Sequence, residues 1–301
     1  MKVASIDIGT NTIRLLIAMY DKNLGKLKPL RRERIVTRLG DSFIVTGYLK
    51  DEAIERTISG LAVFKSIVEE EGCDRIIAVA TSCVRESANG REFVRLVKER
   101  LGIDVIVVDG NKEAYLTYLG IKKGLDIQGS ILMFDIGGGS TEYIYSTDGQ
   151  VKTLSIPIGV VKLRDTFMQN DPPTEKEISE MREFIDSQIA VVEQFKCRLD
   201  SLIGTAGTVT TLAAIKLNLE KYDPEIIHGV SVSYDEIVSI FDMLKVLPAK
   251  ERLKIKGMEE GREDLIIPGI LITLSTCDIL GCREVVVSEW GILEGIVFYY
   301  A

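Results

Sequence analysis

The chain has 301 residues, 37 of them basic and 45 acidic, for a formal net charge of -8. That length holds two domains with ample core, and 46% hydrophobic with 27% charged residues is the make-up of an ordinary globular protein. The acidic balance excludes a nonspecific nucleic-acid binder, which needs a broad basic field, and obliges a polyanionic substrate to meet a local basic patch. Asp7 and Arg14 interrupt the first apolar run, so it does not read as a signal peptide. The longest uncharged stretch, Leu265 to Cys277, contains Pro268 and is too short to cross a bilayer. Cys73, Cys83, Cys197, Cys277 and Cys282 include no Cys-x-x-Cys pair, and His228 is the single histidine, so zinc has few ligands. Reduced, buried thiols in a cytoplasmic protein are expected.

Lys2 to Ile6 reads as a strand ending in Asp7-Ile8-Gly9-Thr10-Asn11-Thr12, and Ile13 to Ile17 as the strand that returns. An Asp-x-Gly turn sets a carboxylate beside small residues whose backbone N–H groups can converge on an anion. After a hairpin turn over residues 20–26, the segment Lys28 to Arg38 carries Arg31, Arg32, Arg34 and Arg38 against one acid, Glu33. Such a strand guides a polyanion or shields a sheet edge with charge, and both readings stand. Asp51 is expected to cap a helix to about Glu71, with Ile54, Ile58, Leu61 and Val68 on one face. A buried strand over 75–80 delivers Thr81, Ser82 and Arg85 at its carboxyl end, where ligands sit in open α/β sheets. Arg85 is a fork-shaped donor for phosphate oxygens, with pairing to Glu86 as the structural alternative. A short helix over 92–101 and a buried strand over 103–108 lead to Glu113, which opens a helix. A carboxylate there can orient and deprotonate a water; its structural alternative is to complement the helix dipole.

Gly124 to Gly129 separates the halves, and the second half repeats the device of the first. A strand over 130–134 ends in Asp135-Ile136-Gly137-Gly138-Gly139-Ser140-Thr141-Glu142, and a strand over 143–147 follows. Amides in the triple-glycine turn suit phosphate oxygens, and Asp135 with Glu142 or Asp7 suits a hard cation, Mg²⁺ or Mn²⁺. Two such turns far apart in the chain imply two similar halves facing one cleft. Asp148-Gly149 signals a hairpin, and Thr174 with Glu177 a capping box for a helix to about Lys196. A third turn, Gly204-Thr205-Ala206-Gly207-Thr208, opens a helix whose N-terminus favours anions. His228 reads as structural or substrate-contacting rather than as a lone catalytic base. Lys250, Arg252, Lys254 and Lys256 read as solvated surface. Arg262 opens an apolar helix through Leu280, and a strand over 284–288 precedes a last helix ending in Phe298-Tyr299-Tyr300.

The three turns resemble those of the actin-like ATPase superfamily. The fuller set is similar to the Ppx/GppA family of exopolyphosphatases and guanosine pentaphosphate phosphohydrolases. It adds Ala80-Thr81-Ser82-Cys83-Val84-Arg85 with Asn89, Gly110-Asn111-Lys112-Glu113-Ala114, Ile156-Pro157-Ile158-Gly159, His228-Gly229 and Arg262-Glu263-Asp264. The resemblance implies an α/β fold of two ribonuclease H-like domains with a cleft between them, residues 1–124 and 125–301, the last helix from about 290 packing back on the first domain. It implies hydrolysis of a terminal phosphoanhydride, in polyphosphate or guanosine pentaphosphate, with Glu113 as the catalytic glutamate. Arg85 would be catalytic with Glu113 and help to hold phosphate; Gly9, Thr10, Asn11, Thr12, Gly137, Gly138, Gly139, Ser140, Thr141, Gly204, Gly207 and Thr208 would bind phosphate, and Asp135, Glu142 and Asp7 the metal. Two departures stand out: Lys112 replaces an acid beside the catalytic glutamate, and Leu293 replaces an arginine. A non-hydrolytic sensor of guanosine tetra- or pentaphosphate and an acceptor-dependent kinase are the alternatives. No nucleic-acid or membrane partner is expected, and a homodimer is left open.

Overall fold

Residues Lys2–Ile8 (β1) are buried on both faces beyond the first position, which suits a central strand. The computed structural model describes residues 1–41, 43–125, 127–196 and 199–301, without the side chains of Ile44 and Val45. The described residues fall into two compact units, Met1–Ile121 with Gly291–Ala301, and Lys122–Trp290.

In the first unit β1 pairs antiparallel with β2 (Thr12–Asp21), and β2 with β3 (Lys26–Val36). On its other side β1 runs parallel to β4 (Arg75–Ala80), and β4 to β5 (Val105–Val107), giving the order β3-β2-β1-β4-β5. Helix α1 (Phe43–Thr46) precedes α2 (Asp51–Glu70); α3 (Ser82–Glu86) and α4 (Gly90–Leu101) follow β4, and α5 (Gly110–Gly124) follows β5. Strand alternation divides the core. Ala4, Ile6 and Ile8 face Leu61 and Phe64 of α2 and Phe93 of α4, while Val3, Ile77 and Val79 face Leu116 of α5. Asp51 begins α2, and Lys50 takes the cap position. The strand expected over 103–108 shortens to three residues with Ile106 and Val107 exposed, because β5 lies at the sheet edge.

The second unit repeats the plan and adds a strand. Strands β6 (Ile131–Ile136), β7 (Thr141–Thr147) and β8 (Gln150–Ile156) form the meander, followed by α6 (Val160–Phe167) and α7 (Glu175–Ile189). Then come β9 (Ser201–Thr205), α8 (Ala206–Lys216), α9 (Pro224–Ile227), β10 (Ser231–Ser233), α10 (Tyr234–Lys245), α11 (Ala249–Arg252), α12 (Ile266–Leu280) and β11 (Glu284–Ser288). The order is β10-β11-β9-β6-β7-β8, with β6, β9 and β11 parallel. A meander followed by parallel strands, in both units, is the ribonuclease H-like arrangement. Helix α12 is apolar on every side and buried along nearly its whole length, as a helix inside a core must be. It starts at Ile266, so Arg262 lies in the turn before it. Thr174 and Glu177 close their capping box on α7, which passes into a 3-10 turn over Ala190–Phe195. The last helix, α13 (Ile292–Tyr300), belongs to the first unit and packs Ile292, Ile296 and Val297 on the α5 face of that sheet.

Two sequence expectations need correcting. Arg252 is fully buried, donating to the carbonyls of Leu244 and Glu263, both at 3.0 Å. It ties the segment before α12 to α10, where solvated surface was expected. Of the cysteines, Cys83 and Cys277 are buried and free, Cys73 and Cys282 are free but half-buried, and Cys197 lies outside the described residues. Among the described residues no helix is long and apolar enough to cross a membrane.

Candidate active site

The first Asp-x-Gly turn is closed by Gly9 N–H donating to the Thr12 carbonyl at 3.0 Å. That closure sets the register of β1 and β2, so Asp7 lies opposite Arg14. Arg14 donates from Nε (2.9 Å) and Nη2 (2.7 Å) to one oxygen, Oδ2, of Asp7, which is 4% exposed. The Asn11 carbonyl accepts from Thr37 and Arg38, and the Thr10 carbonyl from Gly40. Acceptors that would repel a phosphate are thereby engaged by protein N–H groups. Thr10, Asn11 and Thr12 are all buried.

The second turn closes the same way, Gly137 N–H to Ser140 carbonyl at 2.9 Å, and sets Asp135 opposite Glu142. Its carbonyls are also engaged: Gly137 accepts from Val160, and Gly138 from Val161 and Lys162, at the start of α6. A Cβ on Gly159 would fall 2.4 Å from the Gly138 carbonyl carbon, so only glycine lets α6 brace the turn this closely. Thr141 donates from Oγ1 to the Ile158 carbonyl at 2.8 Å. Asp135 and Glu142 are 8% and 1% exposed, and Ser155 Oγ donates to Glu142 Oε1 at 2.8 Å. Two carboxylates on neighbouring strands, both nearly dry, repel one another. A hard divalent cation fits this donor set. Among the described residues no group of three or more His, Cys, Asp or Glu could hold a metal. A cation here would therefore complete its shell with phosphate oxygens and water, as Mg²⁺ commonly does.

The third turn lies beside the second, since Thr205 on β9 pairs with Asp135 on β6. Ala206 takes a positive φ of 67°, and Thr205 Oγ1 donates to the Ser288 carbonyl at 2.8 Å. Arg262 covers Gly207 so closely that a Cβ there would lie 2.0 Å from the guanidinium carbon. Arg164 links this region by donating to Asp165 (2.8 Å from Nε) and Asp264 (2.6 Å from Nη1).

Glu113 occupies the first turn of α5 and is 8% exposed. Arg85 Nη1 donates to Glu113 Oε2 and to the Val108 carbonyl, each at 3.0 Å, and Nη2 to Glu86 Oε1 at 3.2 Å. Ser82 Oγ supports Glu86 at 2.9 Å. Arg85 thus joins Glu86, its expected structural partner, to Glu113. In each unit the candidate residues gather at the carboxyl ends of the parallel strands: β1, β4 and β5 in the first, β6, β9 and β11 in the second. Cys83, fully buried against Thr10, has its thiol pushed up to about 12 by desolvation, so it is no nucleophile.

Helix α5 is held by α13 at two glycine crossings. A Cβ on Gly120 would fall 1.9 Å from the Gly291 carbonyl oxygen, and one on Gly295 1.7 Å from that of Leu116. Glu294, 1% exposed, pairs with Arg32 at 2.5 Å and accepts from Gly291 N–H at 2.8 Å. Leu293 packs with Leu16 and Ala18. The basic segment of β3 is a sheet edge, where Arg31 pairs with Glu33 at 2.8 Å. His228 accepts at Nδ1 from Glu289 N–H (3.2 Å), lies 3.0 Å through Nε2 from the Gly124 carbonyl, and stacks on Trp290. Both polar contacts are to backbone groups, which is a structural role. Arg14, Ser155 and Arg164 went unmarked in sequence as site neighbours. For Arg14 and Glu142 the signal was present: a four-residue turn places the residue seven on from each Asp directly opposite it.

The model of the Ppx/GppA phosphatase family matches residues 17–300. A bifunctional 3-dehydroquinate synthase/phosphatase of Fusobacterium nucleatum is 35% identical over 97% of this chain and 46% of that protein. The chain therefore spans about half the length of that relative. Exopolyphosphatase 2 of Mycobacterium tuberculosis is 32% identical over 100% of this chain and 98% of its own. Among solved structures, an Aquifex aeolicus Ppx/GppA family member is 38% identical with a TM-score of 0.83, covering 99% of this chain and 96% of that one. An exopolyphosphatase from Cytophaga hutchinsonii is 29% identical with a TM-score of 0.91, covering 99% and 97%.

Proposed function

We propose that this chain, which belongs to the Ppx/GppA phosphatase family, is an exopolyphosphatase that releases orthophosphate from the end of inorganic polyphosphate. The observation that carries the reading is Glu113: a nearly buried carboxylate on a helix's first turn, its Oε2 held by Arg85 at 3.0 Å. Relatives of nearly the same length named exopolyphosphatase support the substrate class.

Glu113 takes a proton from water as the water oxygen attacks the terminal phosphorus. The bond from that phosphorus to the bridging oxygen breaks, and the shortened chain leaves with the electron pair. The leaving group is a stable phosphate anion, so no strong general acid is needed. Each unit offers N–H groups suited to non-bridging phosphate oxygens: the Gly9–Thr12 turn in the first, and the Gly137–Thr141 turn with the N-terminus of α8 at Gly207 and Thr208 in the second. The rate comes mainly from positioning and charge stabilisation. Asp135 and Glu142 would hold Mg²⁺ or Mn²⁺, which when bound offsets charge on the phosphoryl oxygens. Guanosine pentaphosphate presents the same terminal phosphoanhydride and is proposed as a second substrate. A cytoplasmic location accompanies the reading, supported by the free thiols of Cys73, Cys83, Cys277 and Cys282.

The test is phosphate release from polyphosphate and from guanosine pentaphosphate, side by side with Mg²⁺. Wild type should release phosphate from polyphosphate, and Glu113→Gln should bind it while losing about 10²–10⁴ in rate. Near-normal turnover by Glu113→Gln, or no release by wild type, rejects the reading.

A further inference from the structure

The two glycine crossings fix α5 at Leu116 and Gly120, beyond Glu113 along the helix. The first turn, which carries Glu113, needs anchors of its own. Asp109 Oδ1 accepts from Lys112 N–H at 2.8 Å, and Arg85 holds the Glu113 carboxylate itself. A further anchor comes from the side chain next to Glu113. The Lys112 ammonium sits 3.3 Å from the ring centroid of Tyr299, on the last turn of α13, and 5.6 Å from that of Tyr115. Tyr299 is itself set edge-on against Tyr115 (6.1 Å, 88°) and Tyr300 (4.8 Å, 77°). The structure turns Lys112 onto an aromatic face at the far end of α13.

We propose that Lys112, stacked on Tyr299, is a positioning residue for Glu113, strapping the first turn of α5 to the end of α13 so that the carboxylate meets water at a fixed angle. The inference rests on Glu113 being the base, as read above. Its physics is specific to a cation. An aromatic face is negative, so it attracts an ammonium or guanidinium and would repel a carboxylate at this position. Lys112 touches no reacting atom in this scheme, so its removal should alter the productive fraction of bound substrate and leave binding alone.

The experiment is steady-state phosphate release from polyphosphate by Lys112→Met, Lys112→Arg, Tyr299→Leu, Tyr299→Phe and the double variant Lys112→Met/Tyr299→Leu. Glu113→Gln and melting curves run alongside. Lys112→Met and Tyr299→Leu should each lose about two- to five-fold in kcat with KM unchanged, the range expected when a single exposed cation–aromatic contact is lost. The double variant should lose no more than either single one, because both remove the same contact. Lys112→Arg and Tyr299→Phe keep charge and ring, and should keep kcat. A rise in KM at constant kcat for Lys112→Met would make Lys112 a substrate contact and overturn the proposal. So would wild-type kcat in both Lys112→Met and Tyr299→Leu, while an inactive Glu113→Gln left the base assignment standing. Turnover that survives Glu113→Gln would remove the base itself, and the strap with it.

Discussion

The two Asp-x-Gly turns have one backbone and different charge. Each closes with a glycine N–H on the carbonyl three residues on, each gives its carbonyls to a following segment, and each places residue Asp+7 across from its Asp. In the first unit that residue is Arg14, and the pair is neutral. In the second it is Glu142, and the pair is doubly acidic. A neutral pair leaves the turn's N–H groups free of a repelling field, as phosphate binding needs. A doubly acidic pair repels phosphate unless a cation intervenes. Duplication of a fold thus yields two different tools through one change at a fixed register position.

The largest effect should come from the acidic turn. Asp135→Asn is expected to cost about 10²–10³ in kcat, similar to losing one preorganised charge contact; phosphate-release kinetics at saturating Mg²⁺ checks it. The braces differ next. Gly159→Ala forces a Cβ against Gly138 backbone at 2.4 Å, whereas Gly40→Ala meets side chains, the Thr10 methyl at 2.3 Å and Cys83 Cβ at 3.4 Å. Thermal unfolding should show a loss of about 3 kcal/mol for Gly159→Ala and about 1 for Gly40→Ala; equal losses would mean that the second turn yields as easily as the first.

The neutral pair should be lopsided. Asp7 is nearly dry while the Arg14 side chain is 28% exposed. Arg14→Met strands a buried charge and should cost up to about 3 kcal/mol, less whatever water recovers. Asp7→Asn leaves an arginine that solvent can reach, and should cost about 1 kcal/mol or less. Urea denaturation of both variants decides whether burial sets the order. A similarly small effect belongs to Ser155→Ala, which removes one hydroxyl from Glu142 and should cost about 1 kcal/mol of stability.

Much of this was legible in the sequence because it is local. Gly9 and Gly137 announce turns, alternation announces strands, and Thr174 with Glu177 announces a helix start. What was missed depended on distant partners. Arg252 stands in a run of lysines that looks like surface, yet burial comes from the Leu244 and Glu263 carbonyls, which no spacing reveals. Lys112 sits beside the candidate base, but its direction is set by Tyr299 on the last helix. The strand over 103–108 has a buried strand's composition, and only its edge position exposes Ile106 and Val107. Arg14 was a nearer miss: counting across the turn would have paired it with Asp7.

The division of labour between the turns is tested most directly by the Mg²⁺ dependence of phosphate release from polyphosphate, measured for wild type, Glu142→Gln and Arg14→Met. The account predicts that Glu142→Gln needs about ten-fold or more Mg²⁺ for half-maximal rate, while Arg14→Met keeps the wild-type Mg²⁺ requirement and raises KM for polyphosphate. An unchanged Mg²⁺ requirement in Glu142→Gln, with a shifted one in Arg14→Met, would contradict it.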